Sequence, residues 1–348
     1  MKTLLNGRGW MAALFLVSAL LPRLSAAADE TPPQGGEAAK PDARYLALLG
    51  FVHSTSERMQ GDLDSIKKGL ECGEYGKGWG TMHKEVTQSD IDAFGKDVAA
   101  VLCSKTPAEA APSLKAIESL ADRLHKACAA DASSSVWKIA TLLALSKDAK
   151  SPAVASSLLK RADKIKTQAF MAIDKDNGKG SWSTVYEAKC CRSVMLLQAY
   201  RMGLGLWDMP KSDFLMETEV FTWPGDDFTQ PKVESAKCKK SLKLAESAIN
   251  TVLAADGVLS AQNPGKGKVA LAALDKAVKA SVSVVLSPNG PSKPTPEASA
   301  QVDAACSEDY AVLLEYLKGK STVPTIQREL EANAARVRKS AEKKMKSK

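Results

Sequence analysis

From Tyr45 onward, apolar residues fall at alternating spacings of four and three, a period that leaves the chain little choice but the α-helix. Tyr45, Leu49, Val52, Ser56, Met59, Leu63, Ile66 and Leu70 form one such seam over four heptads, with a polar break at Ser56. Residues so spaced share one side of a helix, and packing that side on a partner helix removes it from water. Ile91, Phe94, Val98 and Val101 repeat the pattern behind Ser89, a side chain suited to capping a helix start. Three more seams follow: Leu114, Ile117, Ala121, Leu124 and Cys128; Cys238, Leu242, Ala245, Ile249 and Val252; and Val302, Cys306, Tyr310, Leu313 and Leu317. Less regular apolar patterns predict helices over 135–147, 152–173, 183–206, 269–286 and 325–346. Period-two alternation is nearly absent, and no repeat of solenoid length recurs. The expected fold is all-α, an elongated bundle of long, roughly antiparallel amphipathic helices.

The first 28 residues have the composition of a cleavable export signal. Lys2 and Arg8 supply a positive start, 10–21 an apolar run of about a dozen residues, and Leu24-Ser25-Ala26-Ala27-Ala28 the small residues of a cleavage site. The run is short of the ~20 apolar residues that span a bilayer, and no later run reaches that length. Cleavage is expected after Ala28, with Ala26 and Ala27 as alternatives. The expected destination is the periplasm, the cell surface or the medium, with no transmembrane segment after cleavage. No Asn-x-Ser/Thr sequon occurs, which tilts the expectation toward a bacterial envelope.

Export gives the cysteines a meaning. Cys72, Cys103, Cys128, Cys190, Cys191, Cys238 and Cys306 are the seven, all beyond the signal. No CxxC is present, so zinc-ribbon, redox and haem-attachment readings lack their spacing. In an oxidising compartment the expectation is up to three disulfides stapling the helices, with one thiol left over. Adjacent Cys190 and Cys191 would point about 100° apart on a helix and reach different partners. The alternative is several buried thiols acting as small apolar residues.

The chain divides into a signal (1–28), a polar Pro/Gly leader (29–40), a helical bundle (41–206), a connecting loop (207–231) and a second helical region with a basic tail (232–348). The loop is compositionally unlike the rest. It holds Trp207, Phe214, Phe221, Trp223 and Phe228, and it sets Asp208, Asp213, Glu217, Glu219, Asp226 and Asp227 against Lys211 alone. Aromatic anchors rimmed by acids suit a basic or amphipathic partner, with Asp226 and Asp227 the tightest acidic pair. The simpler reading is an ordered cap whose aromatics cover the end of the bundle. A Pro-rich stretch over 288–296 reads as a stiff linker.

Specific chemistry is harder to find. His53 and His125 flank seam positions, and His83 sits in a Gly-rich stretch beside Met82 and Glu85. Asp174-Lys175-Asp176-Asn177-Gly178 starts like a calcium loop, but its Gly falls one position early and the twelfth position is Val185, not an acid. It reads as a helix end and a turn. Gly76-Lys77-Gly78-Trp79-Gly80 and Gly265-Lys266-Gly267-Lys268 lack the strand-loop-helix setting of a phosphate cradle. No cofactor, metal or catalytic residue is assigned.

The last stretch is basic. Arg328, Arg336, Arg338, Lys339, Lys343, Lys344, Lys346 and Lys348 face only Glu329, Glu331 and Glu342. Arg336, Arg338, Lys339, Lys343 and Lys344 are the candidates for weak contact with an anionic surface; a solvated, fraying terminal helix is the plainer alternative. The formal charge of +8 falls to +5 once Lys2, Arg8 and Arg23 are removed, too mild for a specific nucleic-acid binder. The function expected is a non-enzymatic exported protein that binds a protein partner or builds an envelope or cell-surface assembly. The rivals are an extracytoplasmic helical enzyme with a loop-built site, and a carrier holding a small apolar ligand between helices near Met195, Met202 and Met209.

Overall fold

The structure is a computed structural model that describes residues 88–124, 133–175, 182–206, 208–210, 212, 231–288 and 295–346. The seam over 45–70 lies outside them. Among the described residues the protein is all-helical, with nine α-helices and no strand. They are α1 (Gln88–Cys103), α2 (Pro107–Leu124), α3 (Ser133–Asp148), α4 (Pro152–Lys175), α5 (Trp182–Gly203), α6 (Pro231–Leu259), α7 (Pro264–Leu286), α8 (Pro296–Lys320) and α9 (Pro324–Lys346). None is long and apolar enough to cross a membrane.

Six of the nine begin at proline, and that decides where they start. Proline has no N–H to donate and its φ is already helical, so the first turn is where it costs least. At three of these helices the side chain before the proline serves as the cap. Asn263 Oδ1 accepts from the Lys266 N–H at 2.9 Å, and Thr295 Oγ1 accepts from the Ala298 N–H at 3.2 Å. Thr106 Oγ1 accepts from the Glu109 N–H, while the Glu109 carboxylate accepts from the Lys105 N–H at 2.8 Å. Ser89, by contrast, lies inside the first turn of α1 instead of capping it, because the helix already starts at Gln88.

Contacts divide the described residues into two units. The first runs to Lys166 and takes back Met202–Asp208; the second holds Thr167–Arg201 and Met209–Lys348. In the first, α3 is the central element. Val136, Trp137, Ile139, Ala140, Leu142, Leu143 and Leu145 are all buried, so the helix is enclosed on almost every side. Phe94 of α1 meets Trp137 with ring centroids 5.7 Å apart and planes tilted 44°. Gly203 closes α5 against α3 so tightly that a Cβ there would stand 2.6 Å from the Ala140 carbonyl oxygen. That approach requires glycine.

The second unit is built on two helix pairs, α6 with α7 and α8 with α9. Ala245, Ile249 and Val252 are buried in α6, and Leu271, Leu274, Val278 and Val285 in α7. Between them the Thr251 and Ser281 hydroxyls meet at 3.3 Å, so that each buried hydroxyl has a partner. The α8 seam is buried as its spacing predicts, at Val302, Cys306, Tyr310, Leu313 and Leu317. It faces Ile326, Leu330, Ala334 and Ala341 of α9. Near the start of α9, Ile326 presses on Gly267 of α7, where a Cβ would come within 2.7 Å of its Cγ1.

Candidate functional site

Buried cations are the second unit's least expected feature, and each has a backbone role. Lys240 is 4% exposed, and its Nζ donates to the Val285 and Ser287 carbonyls, both at 2.7 Å. Those carbonyls lie at the C-terminal end of α7, where no further turn supplies an N–H and the helix dipole is negative. Lys189 Nζ donates at 2.8 Å to the Asp174 carbonyl in the last turn of α4. Arg201 Nη2 donates at 2.7 Å to the Met209 carbonyl, tying down the chain as it leaves α5. In the first unit Lys147 Nζ reaches the Leu204 carbonyl at 3.0 Å. The sequence reading missed all four, because a backbone carbonyl leaves no residue-type signal.

The basic tail is a regular helix to Lys346, with its carbonyl and amide groups paired along α9. Packing sorts its cations into two kinds. Arg338 reaches back to α8, where its Nε donates to Glu308 Oε1 at 2.9 Å and its Nη1 and Nη2 fork onto the Glu315 carboxylate. These two carboxylates, Glu315 foremost, push the guanidinium pKa up. The Arg338 hydrogen bond in turn holds the Glu315 carboxyl below its usual range. Arg336, Lys339 and Lys343 are exposed, as is Arg328. At 3.6 residues per turn these four fall within an arc of about 80°, roughly opposite the buried stripe of Ile326, Leu330 and Ala334. Lys344 continues the helix, but its side chain is not among those described.

A lowered folded pKa means the Arg338–Glu315 contact stabilises fully above the ordinary glutamate value of about 4.3, and is lost as pH falls through the lower folded value. Titration followed by side-chain NMR should place Glu315 below the ordinary glutamate value. Arg338→Met should return it to the common range; an unmoved Glu315 would mean the fork does not form in solution.

Two grooves open on this unit. The larger, about 700 Å³, lies between α7, α8 and α9. Val278, Val282, Leu286 and Val337 are among its apolar lining, with Asp275 and Tyr310 among its polar lining. Burial, and next the Asp275 carboxylate, push the Tyr310 phenol up, so it is a neutral hydroxyl at physiological pH. The smaller, about 400 Å³, lies between α4 and α6 beside Phe170, Met171 and Leu242.

Other sequence candidates are only partly in view. Trp207, Phe214, Phe221, Trp223, Phe228, Asp226 and Asp227 lie outside the described residues, as do His53, His83, His125, Cys72 and Cys128. Cys190 and Cys191 lie on α5, their side chains not described. Cys103 is exposed, Cys238 half-buried and Cys306 buried; no disulfide joins cysteines among the described residues. Met209 is buried and Met195 and Met202 half-buried, none of them lining either groove. Gly265–Lys268 proves to be the first turn of α7. Among the described residues no cluster of His, Cys, Asp or Glu is placed to hold a metal. No protein-family model, curated protein or solved structure matches this chain.

Proposed function

We propose that the chain is an exported, non-enzymatic helical protein, an elongated and disulfide-stapled bundle. In this reading it binds a macromolecular partner or forms a structural component of an envelope or cell-surface assembly. One observation carries the reading: α9 presents Arg328, Arg336, Lys339 and Lys343 outward from a helix held from behind by Ile326, Leu330 and Ala334. A fraying tail would pay the entropy of ordering its cations on contact; a packed helix has them in place already. The buried cations Lys189, Lys240 and Arg201 meanwhile hold helix ends and chain exits, a structural use of charge. Export rests on the signal-like composition of residues 1–28, and stapling on the seven cysteines that follow it.

The groove between α7, α8 and α9 favours a second reading, carriage of a small amphiphile. Its size lies in the range of ligand pockets, and its lining mixes apolar side chains with polar ones.

Both readings meet one experiment. The tagged chain is cross-linked in its own cells, recovered by affinity, and examined by native mass spectrometry. The expected species is a defined assembly whose copy of this chain begins at Asp29. A monomer carrying a small molecule would replace the assembly reading with the carrier. A bare monomer would sink both, and a chain still starting at Met1 would sink export.

A further inference from the structure

The exposed cations of α9 do not end at its own surface. Lys266 and Lys268 are exposed on the first turn of α7, which the Gly267–Ile326 contact sets against the start of α9. Lys268 Nζ is 3.8 Å from the Glu329 carboxylate of α9. Lys268 therefore stands beside the start of the basic arc that Arg328, Arg336, Lys339 and Lys343 form on α9. On that arc of α9 lies Ala332, and just outside it Ala335, both exposed and both small. The α9 arc thus has charge without large apolar side chains; the exposed Val269 belongs to α7, one residue beyond Lys268.

That combination narrows the partner. A protein interface draws its energy from buried aromatic and aliphatic anchors, and this face has none to offer. Single-stranded nucleic acid is held by stacking on aromatic rings, and the face has no ring. A bilayer of anionic headgroups asks only for clustered cations held near its plane, at a gain that rises with each one. We propose that this arc docks the protein on the surface of an anionic lipid bilayer, without insertion. The proposal rests on the reading of the chain as an envelope component and names the surface it lies against.

Sedimentation with vesicles tests it on the purified mature chain. Vesicles of phosphatidylcholine with about one part in three phosphatidylglycerol should carry the protein down at low salt, and phosphatidylcholine alone should not. Ionic strength near ~0.5 M should release it, since screening shortens the reach of each charge. Changing Arg328, Arg336, Lys339 and Lys343 together to Gln should weaken partitioning on the order of a hundredfold or more. The same number of changes on exposed lysines elsewhere, at Lys115, Lys150, Lys160 and Lys164, should weaken it only a few-fold. Circular dichroism confirms that both variants remain helical.

Equal losses in the two variants would overturn the proposal, since net charge would then suffice. So would tighter binding to DNA than to the anionic vesicles at matched salt, or no binding to either vesicle. Partner recovery from cross-linked cells is a separate measurement, so the surface can fail while the assembly reading stands.

Discussion

Replacing Trp137 by alanine is expected to destabilise the first unit by about 3–5 kcal/mol, a large share of the roughly 5–15 kcal/mol that holds an ordinary domain together. The indole is completely buried in α3, and its ring meets Phe94 of α1. Alanine removes that contact area and leaves a void that rigid helix backbones can only partly close. The effect is one of shape, because Trp137 Nε1 has no hydrogen-bond partner among the described residues. Trp137→Phe should therefore recover most of the loss, ending within about 1–2 kcal/mol of the parent. Urea unfolding followed by far-ultraviolet circular dichroism measures both, since fluorescence would lose its probe. An alanine variant within about 1 kcal/mol of the parent would mean α3 is not the centre of the unit.

Lys240→Met should produce the second-largest loss, about 3 kcal/mol. Methionine matches the length of the stem and removes only the ammonium. The Val285 and Ser287 carbonyls then lose the donor they share at the end of α7. Each charge-assisted bond contributes about 1.5–3 kcal/mol, and relief from burying the ammonium offsets part of the sum. Lys239→Met, one position along and exposed, is the control and should change stability little. Two variants of equal stability would show that the α7 end is satisfied by other means. The pair also separates this account from a simple effect of net charge, which both substitutions change alike.

The helices were legible from the sequence where apolar residues recur at spacings of three and four. The α8 seam, with one face on a neighbour and one in water, was read residue by residue and every position is buried. In α1, Phe94, Val98 and Val101 are buried on the same argument. The helix over 135–147 was found, but its standing was not. An enclosed helix has no polar face, so its periodicity is weak where its burial is greatest. Starts were missed by up to five residues, as at Pro264 against an expected 269, because the first turn of α7 is Gly and Lys, with no apolar stripe. Proline was the better marker there.

The candidate surface was legible in composition and not in arrangement. The tail was visibly basic, yet Arg338 could not be told from its neighbours. Its separation depends on Glu308 and Glu315, some two dozen residues and more away, meeting it across a helix pair.

Spacing along single segments is enough to mark the described residues as helical, to place most of their helices, and to give the buried stripe of α8 and parts of those of α1, α2 and α6. Those properties follow from spacing along one segment, and a period of 3.6 residues is a local quantity. Which helix is enclosed, which cations are drawn inside to hold helix ends, and which remain outward on α9 follow from packing alone. Those outcomes depend on carbonyls and carboxylates brought together from distant positions, and local spacing holds no record of what packing sets beside it.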